Sequence, residues 1–305
     1  MTIGWRTVTR ALSCLLIVIT AAGCWSEPPP AINQILIATR PTPEMPPTPI
    51  GQSGAWHLIF SDEFNAPALD PARWTTCYWW NKRGCTIVTN QEMEWYQPGQ
   101  VQVVDGMLQL RADHGLVVAS NGHTYRYLSG MISSGRATSD TSHPARFAFT
   151  YGFAEMRAKI PAGQGLWPAF WLLPADHNSR PEIDVMEITG DAPHTVHLRF
   201  HYLTASGERE DIGDEWTGPD FSADWHTFAI AWTQEALIWY VDGVERWRFT
   251  DRAAIPAEPM YLLANLAVGG DWPGAPDAAT KFPADYQIDY IRVWQAGADA
   301  PQPTN

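Results

Sequence analysis

The feature that most constrains this chain is the hexapeptide Glu-Ile-Asp-Val-Met-Glu that begins at Glu182, because it places three carboxylates inside an apolar run. A regular strand exposes alternate residues on one face, so Glu182 and Asp184 would share a face while Glu187 would point to the other. A β-bulge at Val185 or Met186 would return Glu187 to the face of the first two. The hexapeptide therefore predicts a bulged strand that presents the three carboxylates together.

The bulge also sets the separation of the two glutamates. Four strand steps of about 3.3 Å place the Cα atoms of Glu182 and Glu187 about 13 Å apart. Side chains that each reach inward by about 4 Å then leave about 5 Å between the carboxyl groups. That separation is typical of retaining glycoside hydrolases, since inverting enzymes need about 6.5–9.5 Å to admit a water molecule. The alternative interpretation is an acidic, solvated face on an edge strand.

Six further segments accompany the hexapeptide in a fixed order. They are FSDEF at 60–64, NQEMEWY at 90–96, YGFAEMRAKIP at 151–161, GQGLWPAFWLLP at 163–174, YLLANLAVGGDWPG at 261–274 and IDYIRVWQ at 288–295. Over residues 56–296 this set resembles glycoside hydrolase family 16, and most closely its laminarinase-like endo-1,3-β-glucanase branch. The extra Met186 matches the E-x-D-x-x-E form of the laminarinase, agarase and carrageenase branches.

The resemblance implies a role for each carboxylate. Glu182 would be the nucleophile that forms a glycosyl-enzyme, and Glu187 the acid/base that protonates the leaving oxygen and then activates water. Asp184 lies between them, within hydrogen-bonding reach of either. Because three carboxylates this close cannot all ionise easily, one proton is held near neutral pH, which suits a general acid. No cofactor is implied for catalysis.

The sequence of the rest of the domain predicts an all-β fold. Short strand-like runs with turn signals recur along the chain, long amphipathic helices are missing, and Asp242-Gly243 is a strong signal for a two-residue hairpin. These patterns indicate a sandwich of two antiparallel sheets. The resemblance narrows the sandwich to a concanavalin-like jelly roll with a concave substrate cleft, formed by residues 55–297.

Aromatic and polar side chains in the motifs are candidates for contact with sugar. The chain has sixteen tryptophans, and indole rings stack on the apolar C–H faces of sugars. Trp167, Trp171 and Trp272 are the candidates for stacking, although packing in the core explains each of them equally well. By resemblance, further contacts would come from Asn90, Trp95, His201 and Asn265.

A structural calcium ion is another implication of the resemblance. Glu63 near the start of the domain and Asp289 near its end match positions that bind calcium in relatives, and Gly106 would add a backbone carbonyl. Hard oxygen ligands from both ends of the domain would hold the sandwich together. An ordinary salt bridge or cap is the alternative.

The N-terminus predicts export. Arg6 and Arg10 precede an apolar run at 11–24 that is too short to span a bilayer, so residues 1–23 predict a signal peptide. The run ends in Ala-Ala-Gly-Cys, which resembles a bacterial lipobox and predicts lipidation at Cys24. An ordinary signal peptide cleaved nearby is the alternative. We therefore expect a lipoprotein at a membrane or cell surface, or otherwise an extracellular protein.

Two further predictions concern the regions that flank and stabilise the domain. Residues 24–54 are rich in proline and predict an extended tether, and residues 298–305 predict a disordered tail. Within the domain, Cys77 and Cys85 are close in sequence and predict a disulfide in an exported protein. Two buried reduced thiols are the alternative.

The net charge of the chain limits the classes of molecule that it can bind. The formal net charge of −13 at pH 7 argues against nucleic acid and weighs against sulfated polysaccharides, so a neutral β-glucan fits better. We expect a monomer. The competing functions are a mixed-linkage β-glucanase or agar-type galactan hydrolase of the same family, and a glucan-binding lectin. A lectin would be marked by loss of a catalytic glutamate, and both are present.

Overall fold

The structure is a computed structural model that describes residues 47–81, 84–140, 142–176 and 180–297. The predicted signal peptide, the lipidation site at Cys24, most of the predicted tether and the tail at 298–305 lie outside these residues. In the part of the chain that is described, we find no helix with the length and apolar character needed to cross a membrane.

Sixteen β-strands and two short 3-10 helices form the described part of the chain. The strands are β1 (Trp56–Asp62), β2 (Glu94–Tyr96), β3 (Val101–Val104), β4 (Met107–Val118), β5 (Thr124–Ser129), β6 (Met131–Ser133), β7 (Gly152–Lys159), β8 (Leu166–Pro174), β9 (Glu182–Glu187), β10 (Thr195–Leu203), β11 (Arg209–Thr217), β12 (His226–Trp232), β13 (Leu237–Val241), β14 (Val244–Phe249), β15 (Met260–Val268) and β16 (Ala284–Ala296). The 3-10 helices span Val88–Asn90 and Pro98–Gln100.

The strands assemble into two sheets. The larger, ten-stranded sheet has the order β14-β13-β12-β7-β16-β4-β5-β2, with β1 beside β16 and β3 beside β4. The smaller sheet has six strands in the order β11-β10-β9-β8-β15-β6. Apolar side chains from the facing sides of both sheets form one core, and among the described pairings β2 with β5 is the parallel exception. The predicted all-β jelly-roll sandwich is confirmed.

Strand β9 contains the bulge that the hexapeptide predicts. Asp184 and Met186 lie opposite consecutive residues of β8, so Val185 is the extra residue in β9. Val185 and Met186 are both fully buried in the core between the sheets. Because two consecutive side chains point inward, Glu187 returns to the face that carries Glu182 and Asp184.

The hairpin between β13 and β14 also follows the prediction. Val241 pairs with Val244, and the two residues between them, Asp242 and Gly243, have φ angles of 52° and 71°. Positive φ at both central positions is typical of a type I′ turn, whose twist matches that of the strands it joins.

Residues 47–54, which we call the N-terminal segment, correct the predicted boundary of the tether. They pack on the outer face of the larger sheet instead of extending away from it. The indole of Trp294 donates a hydrogen bond to the carbonyl of Pro47 at 2.7 Å, and the backbone amide of Ile50 donates to Glu155 at 3.1 Å. Proline content indicates an extended backbone but does not reveal these distant partners, so the domain begins near residue 47 and not at 55.

We predict that a chain beginning at residue 55 is less stable than one beginning at residue 47. Glu155 is buried and accepts hydrogen bonds from Ile50 and from the Tyr290 hydroxyl, so removing the segment deprives it of one donor. An unsatisfied buried polar group costs about 1–3 kcal/mol. We expect a melting temperature lower by about 5 °C in calorimetry. Equal melting temperatures for the two chains would contradict a stabilising role for the segment.

Candidate active site

The face of the smaller sheet that points away from the core carries the predicted acids, and we call it the catalytic face. Strands β9 and β10 place six titratable side chains on it, namely Glu182, Asp184, Glu187, His197, Arg199 and His201. Glu187 lies opposite His197, and Glu182 lies opposite His201 on the neighbouring strand. Asp184 lies between the two glutamates in the sequence and on the same face, and its side chain is buried. The sheet therefore brings together the carboxylates and the histidine that the sequence predicts.

His201 joins the buried Asp184 to a second carboxylate. Its Nε2 lies 2.9 Å from Asp184 Oδ2, and its Nδ1 lies 2.5 Å from Asp211 Oδ1. Burial lowers the pKa of His201, but Asp184, Glu182 and Asp211 together raise this pKa to about 10. His201 is thus an imidazolium at neutral pH, and both of its nitrogens carry protons. It supplies a positive charge beside the carboxylates.

The two glutamates differ in how firmly they hold a proton. Burial, followed by the charge of Asp184, raises the pKa of Glu182 to about 8, while the cations His201 and Arg180 oppose the rise. Burial and then the charges of Asp184 and Glu182 raise the pKa of Glu187 well above its usual range. Glu182 has the additional cation beside it and ionises first. The electrostatics favour Glu182 as the nucleophile and Glu187 as the proton donor.

Arg180 and Asp211 extend this charge network beyond β9. Arg180 donates to the carbonyl of Glu210 at 2.7 Å and also pairs with the carboxylate of Asp211. The hydrogen bond from Arg180, and then that from His201, lower the pKa of Asp211 to about 2. Asp211 therefore stays ionised and helps to keep His201 protonated. Sequence reasoning missed both residues. Arg180 lies two residues before Glu182, but nothing in the sequence shows that it pairs with Asp211 on a later strand.

Trp167 and Trp272 form an aromatic corner beside Glu187. The indole nitrogen of Trp167 donates to Glu187 Oε1 at 3.1 Å, which orients the carboxyl group. Trp272 is 42% exposed and meets Trp167 edge to face, with ring centroids 5.1 Å apart. Its ring also meets His197 at 4.8 Å. Trp272 thus offers an exposed indole next to the proton donor, as sugar stacking requires.

Trp171 and Asn265 lie on the catalytic face but are largely covered by other side chains. Trp171 is only 6% exposed and donates from its indole to Asn265 Oδ1 at 2.7 Å. The Asn265 amide donates in turn to the Tyr96 hydroxyl at 3.1 Å, and Tyr78 packs against Trp171. Their polar groups are satisfied within the protein, so the pair forms a supporting layer with little exposed surface, and contact with sugar stays a prediction.

Trp95 is also placed differently from the prediction. Strand β2 alternates its side chains, so Trp95 points to the side opposite Tyr96. It packs on Tyr125 at 5.3 Å between ring centroids, in a small cluster away from the catalytic acids. By contrast, Asn90 lies at the rim: its carbonyl accepts from the amide of Asp271, next to Trp272, at 2.9 Å.

Two buried glutamates hold this rim and were not singled out from the sequence. Glu94 accepts a hydrogen bond from the amide of Val268 at 2.7 Å, and Glu92 accepts from Asn90 at 3.0 Å. Burial raises the pKa of both, that of Glu92 to about 7. They link the loop that carries Asn90 to the end of β15. The motif at 90–96 was a signal for the site, but not for which of its residues are buried.

A disulfide closes a loop over the other end of the catalytic face. Cys77 and Cys85 are bonded, and the loop between them contains Tyr78, Trp79 and Trp80. The Trp80 indole lies 3.2 Å from the hydroxyl of Tyr261 and donates to it. Burial raises the pKa of Tyr261, and the charge of Glu182 adds to this rise, so the aromatic loop lies on the nucleophile's side. The aromatic run between the cysteines was the signal that sequence reasoning left unused.

The residues predicted to bind calcium are engaged with arginines. Both oxygens of Glu63 accept from Arg292, at 2.8 and 2.6 Å. Asp289 accepts from Arg157 at 2.6 Å, and Gly106 occupies the turn between β3 and β4. A calcium ion would have to displace a guanidinium group from Glu63, so these residues do not fit the ion in this arrangement. Structural calcium stays a prediction.

A two-sheet sandwich that presents a polarised pair of glutamates beside exposed indole on one sheet defines a glycoside hydrolase of the two-carboxylate type. The chain belongs to glycosyl hydrolases family 16, whose family model matches residues 89–292. The family prediction made from the motifs is therefore confirmed.

Relatives and solved structures agree with this assignment. An endo-1,3-1,4-beta-glycanase of Rhizobium meliloti is 35% identical over 79% of this chain and 52% of its own length. A glucan endo-1,3-beta-glucosidase of Niallia circulans is 33% identical over 78% of this chain and 38% of its own. The laminarinase catalytic domain from Thermotoga maritima superposes with a TM-score of 0.69 at 33% identity, covering 79% of this chain and 99% of that one. The chain thus spans about half or less of these curated relatives.

We predict that Asp184→Asn and His201→Gln shift the pH profile of kcat/KM in opposite directions. Asp184 raises the pKa of both glutamates, so Asp184→Asn should move the acidic and basic limbs of the pH profile to lower pH. His201 should stay charged in this variant because Asp211 also raises its pKa. His201 lowers both pKa values, so its loss moves the limbs to higher pH. Neighbouring charges at this range shift a pKa by about one unit or more.

His197→Gln is the matched control for these two variants. Burial lowers the pKa of His197, so it is neutral where His201 is charged. Its replacement should leave the limbs in place, even if the rate changes. Shifts of the same sign in Asp184→Asn and His201→Gln would contradict the electrostatic account.

Proposed function

We propose that this protein is a retaining, endo-acting glycoside hydrolase that cleaves β-1,3-glucan. The observation that carries the proposal is the bulge in β9, which places Glu182, Asp184 and Glu187 on one face. The two glutamates on this face differ in pKa. Relatives named glucan endo-1,3-beta-glucosidases, and solved structures named as a laminarinase and an endo-beta-1,3-glucanase, support β-1,3-glucan as the substrate.

The geometry supports a double displacement. Ionised Glu182 attacks the anomeric carbon while Glu187, oriented by Trp167, gives its proton to the leaving glycosidic oxygen. A glycosyl ester of Glu182 results. Glu187, now a carboxylate, removes a proton from water as that water attacks the anomeric carbon, and the bond to Glu182 breaks. Two inversions retain the β configuration.

His201 and Asp184 act on this cycle through charge. The nucleophile gains negative charge when its glycosyl bond breaks, and the nearby imidazolium stabilises that charge. Asp184 keeps the imidazolium in place through the 2.9 Å contact and raises the proton affinity of Glu187. The pair therefore positions charge, while the glutamates make and break bonds.

A second candidate is cleavage of mixed-linkage β-glucan. The observation that favours it is the similarity to relatives named endo-1,3-1,4-beta-glycanases. The acids fix the chemistry of the reaction and not the linkage. Product profiles on laminarin, lichenan, barley glucan and agarose distinguish the two candidates and also test the agar-type alternative.

We predict opposite phenotypes for the two catalytic glutamates. Glu182→Ala should lose several orders of magnitude in turnover while keeping the fold, and azide should partly restore cleavage as a glycosyl azide of inverted configuration. Glu187→Ala should be far less impaired on aryl glycosides whose leaving groups need little protonation. Proton NMR of fresh laminarin digests should detect β-anomers first. Initial release of α-anomers, or equal penalties for Glu187→Ala on both substrate types, would refute these roles.

We also propose that the protein is exported and lipidated at Cys24. The basic residues, apolar run and lipobox-like end of the predicted signal peptide support this localisation. A fatty-acid analogue supplied to cells should label the protein, and Cys24→Ser should abolish the label. A soluble wild-type product that begins at another residue would refute lipidation and leave secretion intact.

A further inference from the structure

A second cavity lies across the sandwich from the catalytic acids. It has a volume of about 700 Å³ and opens on the outer face of the larger sheet, beside the N-terminal segment. Gly152, Ala231, Trp56 and Tyr240 are among the residues that line it. Its volume lies within the range of about 300–1,000 Å³ that is usual for small-molecule sites. Neither the reaction nor the core explains it.

Two of the four aromatic residues that line this cavity, Trp56 and Tyr240, are held in fixed positions. Trp56 meets Phe153 edge to face at 5.8 Å between ring centroids, and Tyr240 meets the same ring at 5.5 Å. The indole nitrogen of Trp56 donates to the carbonyl of Ser53 at 3.1 Å. The polar edge of Trp56 is therefore satisfied within the protein. Its apolar ring surface remains as the part that can contact a ligand.

The charges at the cavity are already balanced. Glu245 and Arg248 form a two-point ion pair at 2.7 and 2.8 Å. Glu235, which also lines the cavity, pairs with Arg252 at 2.9 Å. A charged ligand would have to compete with these pairs. The balance favours a neutral ligand, although the protein as a whole is strongly acidic.

Polar contacts would come from amide side chains. Gln52, Gln234 and Gln295 line the cavity, and Gln234 and Gln295 are exposed at its rim. Each amide offers a donor and an acceptor. A ligand that suits this lining is neutral, carries many groups able both to donate and to accept hydrogen bonds, and has apolar faces for Trp56 and Tyr240. Carbohydrates combine these three properties.

We propose that this cavity is a second carbohydrate-binding site, which holds a β-glucan chain while the catalytic face cleaves the polysaccharide. The identity of the glucan rests on the proposed function. The site lies on the opposite sheet, so one molecule can hold one chain and cleave another. On an insoluble polysaccharide, this second point of attachment raises the effective concentration of substrate at the catalytic face. On a short soluble chain it has no such effect.

Binding is tested with the full chain carrying Glu182→Gln, which prevents turnover. Retention on insoluble β-1,3-glucan should fall about threefold or more when Trp56→Ala is added. Because Trp56 also packs on Phe153, a second variant with Gln234→Ala and Gln295→Ala changes only the exposed rim and should weaken retention in the same direction. Val118→Ala, at a residue 75% exposed on β4, is the matched control and should leave retention unchanged.

Kinetics provide the second measurement, with Glu182 intact. The Trp56 and rim variants should hydrolyse laminarihexaose within about twofold of wild type and insoluble β-1,3-glucan about threefold more slowly or worse. Unchanged retention in both variants, or equal losses on both substrates, would overturn the second site. If the wild-type protein cleaves no β-glucan, the proposed function fails together with the glucan identity of this site. Normal laminarin hydrolysis with unchanged retention overturns the second site alone.

Discussion

The inward turn of two consecutive side chains, Val185 and Met186, is the constraint on which the site depends. Both are fully buried, and burial of a side chain of this size contributes about 1.5–3 kcal/mol. Slipping either one outward would forfeit that contribution and move Glu187 into the apolar core. The indole of Trp239, from the opposite sheet, donates a hydrogen bond to the backbone carbonyl of Asp184 at 2.8 Å, next to the bulge at Val185. The other layer of the sandwich thus supports the bulge that aligns the acids.

Alignment alone would produce three carboxylates that repel one another. The network of His201, Asp211 and Arg180 turns this cluster into an unequal pair. Two cations, His201 and Arg180, oppose the rise in the pKa of Glu182, whereas His201 is the one cation that opposes the rise at Glu187. The bulge in β9 therefore sets the geometry of the acids, and charged residues from β10, β11 and the segment before β9 set their protonation. The catalytic residues all lie on the smaller sheet, and the second cavity lies on the outer face of the larger sheet.

The all-β class and the alignment of the acids could be predicted because their signals are local, whereas the jelly roll and the roles of the acids were implied by the family resemblance. A bulge follows from strand periodicity over six residues, and the turn at Asp242 follows from two. What covers a side chain is not local. Trp171 and Asn265 were predicted to contact sugar, but Tyr78 and Tyr96, far away in the chain, satisfy or cover them.

The same limit explains the other corrections. The side chain of Trp95 points away from the acids because of the pairing of β2, which three residues cannot reveal. The N-terminal segment was predicted to be part of a tether because its hydrogen-bond partners, Glu155 and Trp294, lie on strands far away in the sequence. Arginine partners of Glu63 and Asp289 were equally hidden from the sequence.

The central claim is that the bulge makes Glu182, and not its acidic neighbours, the nucleophile. Trapping the enzyme with a 2-deoxy-2-fluoro laminaribioside that has an activated leaving group, followed by peptide mass mapping, tests this directly. The account predicts one sugar per chain, esterified to Glu182. A sugar on Asp184 or Glu187, or turnover through no covalent intermediate, would contradict it.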